Sequence, residues 1–501
     1  MAVPSDRAVS ATDPSHRILL KDLAHRAMLE HGLLPDFSAE VLAEVGRLKR
    51  SSGGNVDRER AEIRDMRDLP WASIDNDDSL DLDQLSVAQP QPDGQVKIFV
   101  AIADVDTLVK SDSAVDRHAC HNTTSVYTAA EIFPMLPEAL SNGLTSLNAA
   151  SERMAIVVEM MIDAQGAVCE SEIYRARVIN HAKLAYNSVA AWLDGDGELP
   201  AAIGAVEGLP DNLRLQDRTA QRMKDLRFMH GALSLETIEA RPVFEDDHIR
   251  ALQSEGKNRA KQIIEDFMVA ANGVAARFLA ARKMPSLRRV VRAPRRWERI
   301  IDLARDHNFQ LPDQADPKAL EQFLIHAKAA DPLRFPDLSL AVIKLLGPGE
   351  YVAEAPDGDV PGHFGLAVKD YAHATAPNRR YPDLITQRLL KACLERHSAP
   401  YSMEELAALA FHCTEAEDAA NKVERQVGKS AAALLLISRI GEQFDAIVTG
   451  ASEKGTWVRL LAIPVEGKLV QGFEGMDVGH RVRVRLISAD VQRGFIDFCK
   501  A

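Results

Sequence analysis

The 501-residue sequence predicts an α+β fold with a short helical region in front, a large body of strands followed by helices, and a small β-barrel at the end. Three observations carry this reading. Apolar residues between about 16 and 50 recur at three and four positions, the helical period. From about 68 to 190 short apolar or alternating runs sit between turn residues, as strands do, and helical periods dominate afterwards to about 441. The last sixty residues return to alternation. The chain is longer than one compact core usually takes. The expected divisions are 1–55, 56–441 and 442–501.

Taken in order, Ile18, Leu19, Leu23 and Ala27, then Val41, Leu42 and Val45, mark two helices split by Gly32 and Pro35. They suit a helix-turn-helix-like unit or a helical brace on the main body. The run SSGGN at 51–55 reads as a linker. Residues 96–103 have the length and residue types of a buried strand; 155–162 is a second and 170–178 an alternating third. The stretch 192–213, rich in Asp, Gly and Pro, reads as a loop. A long helix at 257–282 carries the apolar stripe Ile263, Ile264, Phe267, Met268, Ala271. Arg288, Arg289, Arg292, Arg295 and Arg296 then form a basic patch that is either solvated or guides a polyanion. Pro382 suits the first turn of a further helix, and 402–441 is a third long one. Val482, Val484 and Leu486 alternate with Arg481, Arg483 and Arg485, a half-buried strand with a basic outer face. Together with 455–458 it belongs to the terminal barrel.

Composition narrows the class. Hydrophobic residues make up 46% and charged residues 27%, as in soluble globular proteins. No apolar run reaches the ~18 residues of a membrane span, so no membrane partner is expected. The opening MAVPSDRAVSATDPSHR lacks the basic end and apolar stretch of a secretory signal and reads as a short mobile tail. Five scattered cysteines with no CxxC pair fit a reducing cytoplasm. Consecutive residues such as His118-Ala119-Cys120-His121 cannot easily converge on one ion. A net charge of −13 argues against a surface built throughout for nucleic acid but permits a locally basic channel.

The chemistry concentrates in two stretches. IDNDDSLDLDQL at 74–85 places Asp75, Asp77, Asp78, Asp81 and Asp83 within nine residues. In extended chain Asp81 and Asp83 point the same way, and Asp75 is far enough back to loop to the same spot. Carboxylates so close repel one another, and a hard divalent cation relieves this. An acidic surface turn is the plain alternative. The second stretch, HATAPNRRYPD at 373–383, places Arg379 and Arg380 at a helix start, where free N–H groups and guanidinium suit phosphate. Its plain alternative pairs them with Asp383 or Glu395. Acidic metal site and arginine together suit phosphodiester hydrolysis.

In combination these stretches resemble the RNB catalytic domain of the ribonuclease II family. IDNDDSLDLDQL is similar to that family's acidic signature, and VKIFVAIADV to the strand after it. TTSVY at 123–127, FPMLP at 133–137, Ser146-Leu147, AKLAY at 182–186 and IEDFM with Asn272 follow in family order. HFGLAVKDYAHATAPNRRYPDLITQRLL is the longest match, VERQV at 423–427 resembles a late helix motif, and the final barrel resembles an S1-type OB module.

The resemblance implies a 3′→5′ exoribonuclease that threads single-stranded RNA into a channel and releases nucleoside 5′-monophosphates, using Mg²⁺, with Mn²⁺ able to substitute. Asp75 would match a metal ligand, with Asp81 and Asp83 as the following catalytic acids and ligands. Arg379 would match the arginine on the scissile phosphate, with Arg380 beside it. Tyr127 would position the 3′-terminal nucleotide, Tyr186 line the RNA path, and Glu424 stand near the 3′ end. Trp457 and Arg483 are the expected RNA contacts of the barrel, and a monomer is the default. Two departures stand out. Gln84 occupies the place of the family's second adjacent aspartate, which puts a second metal in question and leaves an RNA-sequestering module as the alternative function. The ~65 residues in front leave no room for the two cold-shock-type barrels many relatives carry, each of order 70 residues.

Overall fold

Two helices open the chain, and each is braced by a different neighbour. In the computed structural model, which describes residues 15–51, 63–237, 239–452 and 455–501, α1 is His16–Glu30 and α2 is Ala39–Ser51. The Ser15 side chain caps α1 by accepting the Ile18 N–H. Helix α1 packs on the long C-terminal helix α12 (Met403–Leu436), whereas α2 packs on α3 (Ala114–Asn122). This is a brace rather than a free-standing helix-turn-helix unit, because each helix spends its apolar face on a different part of the body. The expected tail at 1–14 and the 52–55 part of the linker lie outside the described residues.

The body is built on a seven-stranded mixed sheet. Its strands are β1 (Arg64–Asp65), β2 (Ala72–Asp75), β3 (Gln84–Pro90), β4 (Val96–Ala103), β7 (Glu152–Ile162), β8 (Val168–Ile179) and β9 (Ala182–Ala185), in spatial order β1-β8-β7-β4-β3-β2-β9. The small hairpin β5 (Val126–Tyr127) and β6 (Ile132–Phe133) lies apart from it. The unbroken apolar run of β4 finds its explanation at the sheet centre, with β3 and β7 on either side and all but Lys97 buried. Helices α4 (Tyr186–Asp194), α5 (Ala201–Gly204), α6 (Leu209–Met229), α7 (Arg259–Ala281) and α11 (Tyr381–Leu394) follow, with Phe267 and Val274 of α7 and Leu384 and Leu389 of α11 in the main core. The expected loop at 192–213 is shorter than composition suggested. Helix α4 runs to Asp194 and α6 already starts at Leu209, because Pro210 sits in its first turn, where no N–H is needed.

The remaining elements are the hairpin β10 (Glu239–Glu245) and β11 (His248–Glu255), the pair β12 (Ser286–Val290) and β13 (Glu350–Glu354), and helices α8 (Trp297–Asp306), α9 (Pro317–Ala330) and α10 (Phe335–Leu346). These three helices share a separate core around Phe323 and Phe335. A closed barrel of β14 (Gln443–Ser452), β15 (Gly455–Leu460), β16 (Glu466–Gln471), β17 (Arg481–Asp490) and β18 (Phe495–Lys500) ends the chain. Val482, Val484 and Leu486 point into it and Arg481, Arg483 and Arg485 outward. Arg459 of the barrel bonds Asp337 of α10 through Nε (3.0 Å) and Nη2 (2.8 Å).

The basic patch at 288–296 is partly neutralised by carboxylates from other segments. Arg288 is 3% exposed and bonds Glu354, Arg289 pairs with Glu417, and Arg292 pairs with Glu350. Strand β12 buries Arg288 and partly covers Arg289, whereas Arg292, Arg295 and Arg296 follow it and are exposed. Among the described residues no helix is long and apolar enough to cross a membrane.

Candidate active site

The acidic stretch leaves β2 at Asp75, makes a turn through the exposed Asp77 and Asp78, and returns to the sheet at Asp83. Asp75 Oδ1 is held by the Asn76 N–H (2.7 Å) and the Ser79 hydroxyl (2.9 Å). Asp83 is 1% exposed and both its oxygens are engaged. Oδ1 accepts the Asn378 N–H (3.0 Å) and Oδ2 accepts from Arg379 Nε (3.0 Å). The two stretches singled out in the sequence, nearly three hundred residues apart, therefore meet directly.

A short ladder makes this meeting possible. The Ser125 N–H donates to Arg379 O (3.0 Å), the Tyr381 N–H donates to Thr123 O (2.7 Å), and Thr124 bridges Arg380. The same ladder brings Tyr127 to the cluster, its hydroxyl 3.4 Å from Asp81 Oδ2 and its backbone N–H on Glu424 Oε1 (2.8 Å). Tyr127 remains 42% exposed. On the other side β9 runs parallel to β2 with Ala185 opposite Asp75, which delivers Tyr186 beside that carboxylate.

Electrostatics reflect the crowding. Burial, with Asp81 adding to it against the pull of Arg379, pushes the Asp83 carboxyl up to about 7. Burial, with Asp75 adding to it, also raises Asp81, and Arg379 opposes the rise. The Tyr127 and Tyr186 phenols are raised by burial and by nearby carboxylates. Burial works against the charge of Arg379, yet Asp83, Tyr127 and Asp81 outweigh it and hold the guanidinium firmly protonated. The Arg379 side chain is 42% open, and among the described residues its terminal nitrogens Nη1 and Nη2 have no protein partner. One edge is thus locked to Asp83 while the other is free to meet an anion.

The helix start contributes differently from expectation. The Tyr381 N–H is spent on Thr123 and Pro382 has none, so the first two positions of α11 offer no free N–H and the guanidinium of Arg379 is the exposed donor here. Arg380 is turned inward. Its Nη2 bonds Asp383 Oδ1 (2.8 Å), which also accepts the Thr375 and Ala376 N–H groups (2.8 Å each). That pairing matches the plain alternative for Arg380, while Arg379 reaches Asp83 and Glu395 instead pairs with Arg175.

Trp457 and Arg483 are not part of this cluster; they lie on the barrel. Arg483 bonds Asp445 (2.9 Å), whereas Arg481 and Arg485 have no ion partner among the described residues. Gln84 is buried in β3 opposite Ile102, and Asp77 and Asp78, considered as its replacements, face solvent. His118 packs on Phe37 and His121 bonds Gly32 O, so neither is placed for a metal.

Among the described residues no three acidic, His or Cys side chains converge as a ready-made cage. The donor chemistry nonetheless fits a hard cation. Asp81 feels the charge of Asp75, and burial makes the ionised Asp81 costly, a cost that a cation removes. Mg²⁺ is commonly held by one or two carboxylates, with water and phosphate completing its shell.

The family model of the RNB domain matches residues 63–396, about two thirds of the chain. The chain belongs to the RNB family. The model of the RNase II-type exonuclease C-terminal S1 domain matches residues 442–501, which is the closed barrel. Ribonuclease R of Escherichia coli is 31% identical over 418 residues, covering 80% of this chain and 50% of that protein. The chain thus spans about half the length of the curated relatives it matches. Mycoplasma genitalium RNase R, solved with ribose-methylated single-stranded RNA, shares the fold at a TM-score of 0.85 and 23% identity, over 97% of this chain and 78% of that one. Yeast Ssd1, described as a pseudonuclease, shares it at 0.69 and 15%, over 91% and 56%. The RNB fold alone therefore does not decide catalysis; the site must.

Sequence reasoning missed several supports. Asn378 and Asp383 sat inside the quoted motif as spacing, yet one holds Asp83 and the other holds the turn that carries Arg379. The buried group of Asp104, Asp106, Asp116, Arg388 and Lys391 was also missed, and it joins the end of β4 to α11. Its only signal was charge at core positions of a helix, which periodicity discounts.

Proposed function

We propose that the chain is a 3′→5′ exoribonuclease that hydrolyses single-stranded RNA with the help of Mg²⁺. The observation that carries this is Arg379, held to the buried Asp83 by Nε, with its terminal nitrogens free among the described residues and its charge felt by Asp81. Asp75 and Asp81 would hold the cation, which supplies Lewis-acid activation of water and phosphate. Arg379 meets the negative charge that grows on the scissile phosphate. Asp83 keeps the guanidinium aimed. Tyr127, half open and anchored through its backbone to Glu424, offers a face on which the terminal base stacks, and Tyr186 extends that wall. Stacking is indifferent to base identity, so broad sequence tolerance is expected.

A 5′-labelled single-stranded RNA with Mg²⁺ tests the proposal. A ladder shortening from the 3′ end is the expected result. Intact RNA at stoichiometric protein in both Mg²⁺ and Mn²⁺ would refute it and restore the sequestering alternative raised by Gln84. That alternative is not favoured, because the three aspartates and Arg379 are all present and share one electrostatic site.

The barrel adds a sequence-independent grip. Replacing Arg481, Arg483 and Arg485 by Gln in the full chain is expected to weaken RNA binding and flatten its salt dependence. The slope of log K against log salt should fall by roughly 0.7 for each phosphate that is no longer neutralised. Arg483 is expected to contribute less than the other two, since Asp445 already neutralises it. Binding isotherms between 50 and 300 mM salt, on the order of the range used for such slopes, measure this; an unchanged slope makes the stripe a merely solvated face.

A further inference from the structure

The carboxylates and the arginine reach the site from elements that do not touch in sequence, and something must hold them in register. We infer that Thr145 and Ser146 are positioning residues that set the spacing between the two charged halves. The inference rests on the nuclease reading above and adds two side chains that touch neither RNA nor metal.

Ser146 is 0% exposed and grips the acidic half. Its Oγ accepts the Leu82 N–H (2.9 Å) and donates to Leu80 O (2.8 Å), so one hydroxyl holds the backbone on both sides of Asp81. The Leu147 N–H adds a bond to Leu82 O (2.9 Å). Thr145 grips the other half. Its hydroxyl donates its one proton toward Asn378 Oδ1 (2.5 Å), with Leu140 O a competing acceptor 2.8 Å away. Asn378 is 0% exposed, donates its N–H to Asp83 and immediately precedes Arg379. Adjacent residues thus bond partners 64 positions back and 233 positions forward.

The dipeptide is itself fixed. It leaves a π-helical turn, Ala139–Leu144, and the Thr145 N–H returns to Leu140 O (3.1 Å). Such turns are rare and recur near functional sites. Arg153 of β7 bonds Ser146 O (3.0 Å) and Gly143 O (3.0 Å), and Asn180 bonds Leu147 O (2.9 Å). The grip is therefore mounted on the central sheet. A site held this way has little freedom to lose, and a displacement of ~1 Å in a reacting constellation costs about a hundredfold in rate.

The test uses the full chain with Thr145→Val, Thr145→Ser and Ser146→Ala. Single-turnover hydrolysis at saturating RNA is measured beside the dissociation constant and the RNA-competent fraction, titrated with a 2′-O-methyl oligonucleotide. Thr145→Val keeps the shape and removes the hydroxyl. It is expected to slow the single-turnover rate by about ten- to a hundredfold, with the dissociation constant within about threefold and the competent fraction unchanged. Thr145→Ser should return most of the rate, and Ser146→Ala should behave like the valine variant. Should the valine variant lack a cooperative unfolding transition, Ser146→Ala carries the comparison. Rates within twofold of the parent per competent molecule, or a loss confined to the competent fraction, would overturn the inference while leaving an active parent as support for the nuclease. A parent that cuts nothing overturns both.

Discussion

Asp83→Asn is expected to lower hydrolysis by on the order of a thousandfold while leaving RNA affinity nearly intact. The carboxylate accepts two hydrogen bonds, from the Asn378 N–H and from Arg379 Nε. An amide offers only one acceptor, so its NH₂ must face a donor, and Arg379 loses the charge that aims it. On the reading proposed above, binding would rest on the aromatic wall and the barrel, which the substitution does not reach. Single-turnover assays beside filter binding separate the two effects, and near-normal turnover would show that the site is misplaced. Stability should respond in a definite direction. The Asp83 carboxyl stands at about 7 when folded, against a usual value of 3.8. The folded protein therefore binds this proton more tightly, and the associated stabilisation is complete below about 4 and lost as pH rises through about 7. Without divalent cation, the urea midpoint of the parent should fall across that window, and the asparagine variant should show a flatter profile.

Arg388→Ala is expected to destabilise the fold by about 3–5 kcal/mol. Arg388 is 5% exposed and serves several partners at once. Nη2 bonds Asp116 (2.7 Å) and Val109 O (2.9 Å), Nε bonds Asp106 (3.1 Å), and Nη1 bonds the Tyr401 hydroxyl (3.0 Å). Burial opposes its charge, but Tyr401, Asp116 and Tyr381 outweigh that and raise its pKa. Truncation strands Asp116, itself 3% exposed, as an unpaired buried charge. The helix concerned is α11, whose first turn presents Asp383 to the Arg379 turn, so activity should fall along with stability. Urea unfolding followed by circular dichroism measures the loss, and a change under about 1 kcal/mol would place the residue among ordinary surface cations.

The alternation of Val482, Val484 and Leu486 and the apolar run at 96–103 were legible because strands impose a two-residue period or, when buried on both faces, none. The acidic group and Arg379 were legible for a different reason. Their chemistry is local to short stretches whose residue types and order resemble one family. The basic run at 288–296 was legible as a run but not in its partners, since linear density says nothing about Glu354 and Glu417, which arrive from remote segments to pair Arg288 and Arg289.

By itself the sequence determined which side chains are available for phosphodiester chemistry, the main buried strands and long helices, and the terminal barrel. These follow from periodicity and residue type, which act over a few positions. Only the tertiary structure decided that Asp83 spends both oxygens on the Arg379 turn, that Arg380 faces inward to Asp383, and that Thr145 and Ser146 hold the two halves together. A hydrogen bond closes over about 3 Å whatever the chain length between its partners, and no pattern along the chain encodes which distant donor will arrive.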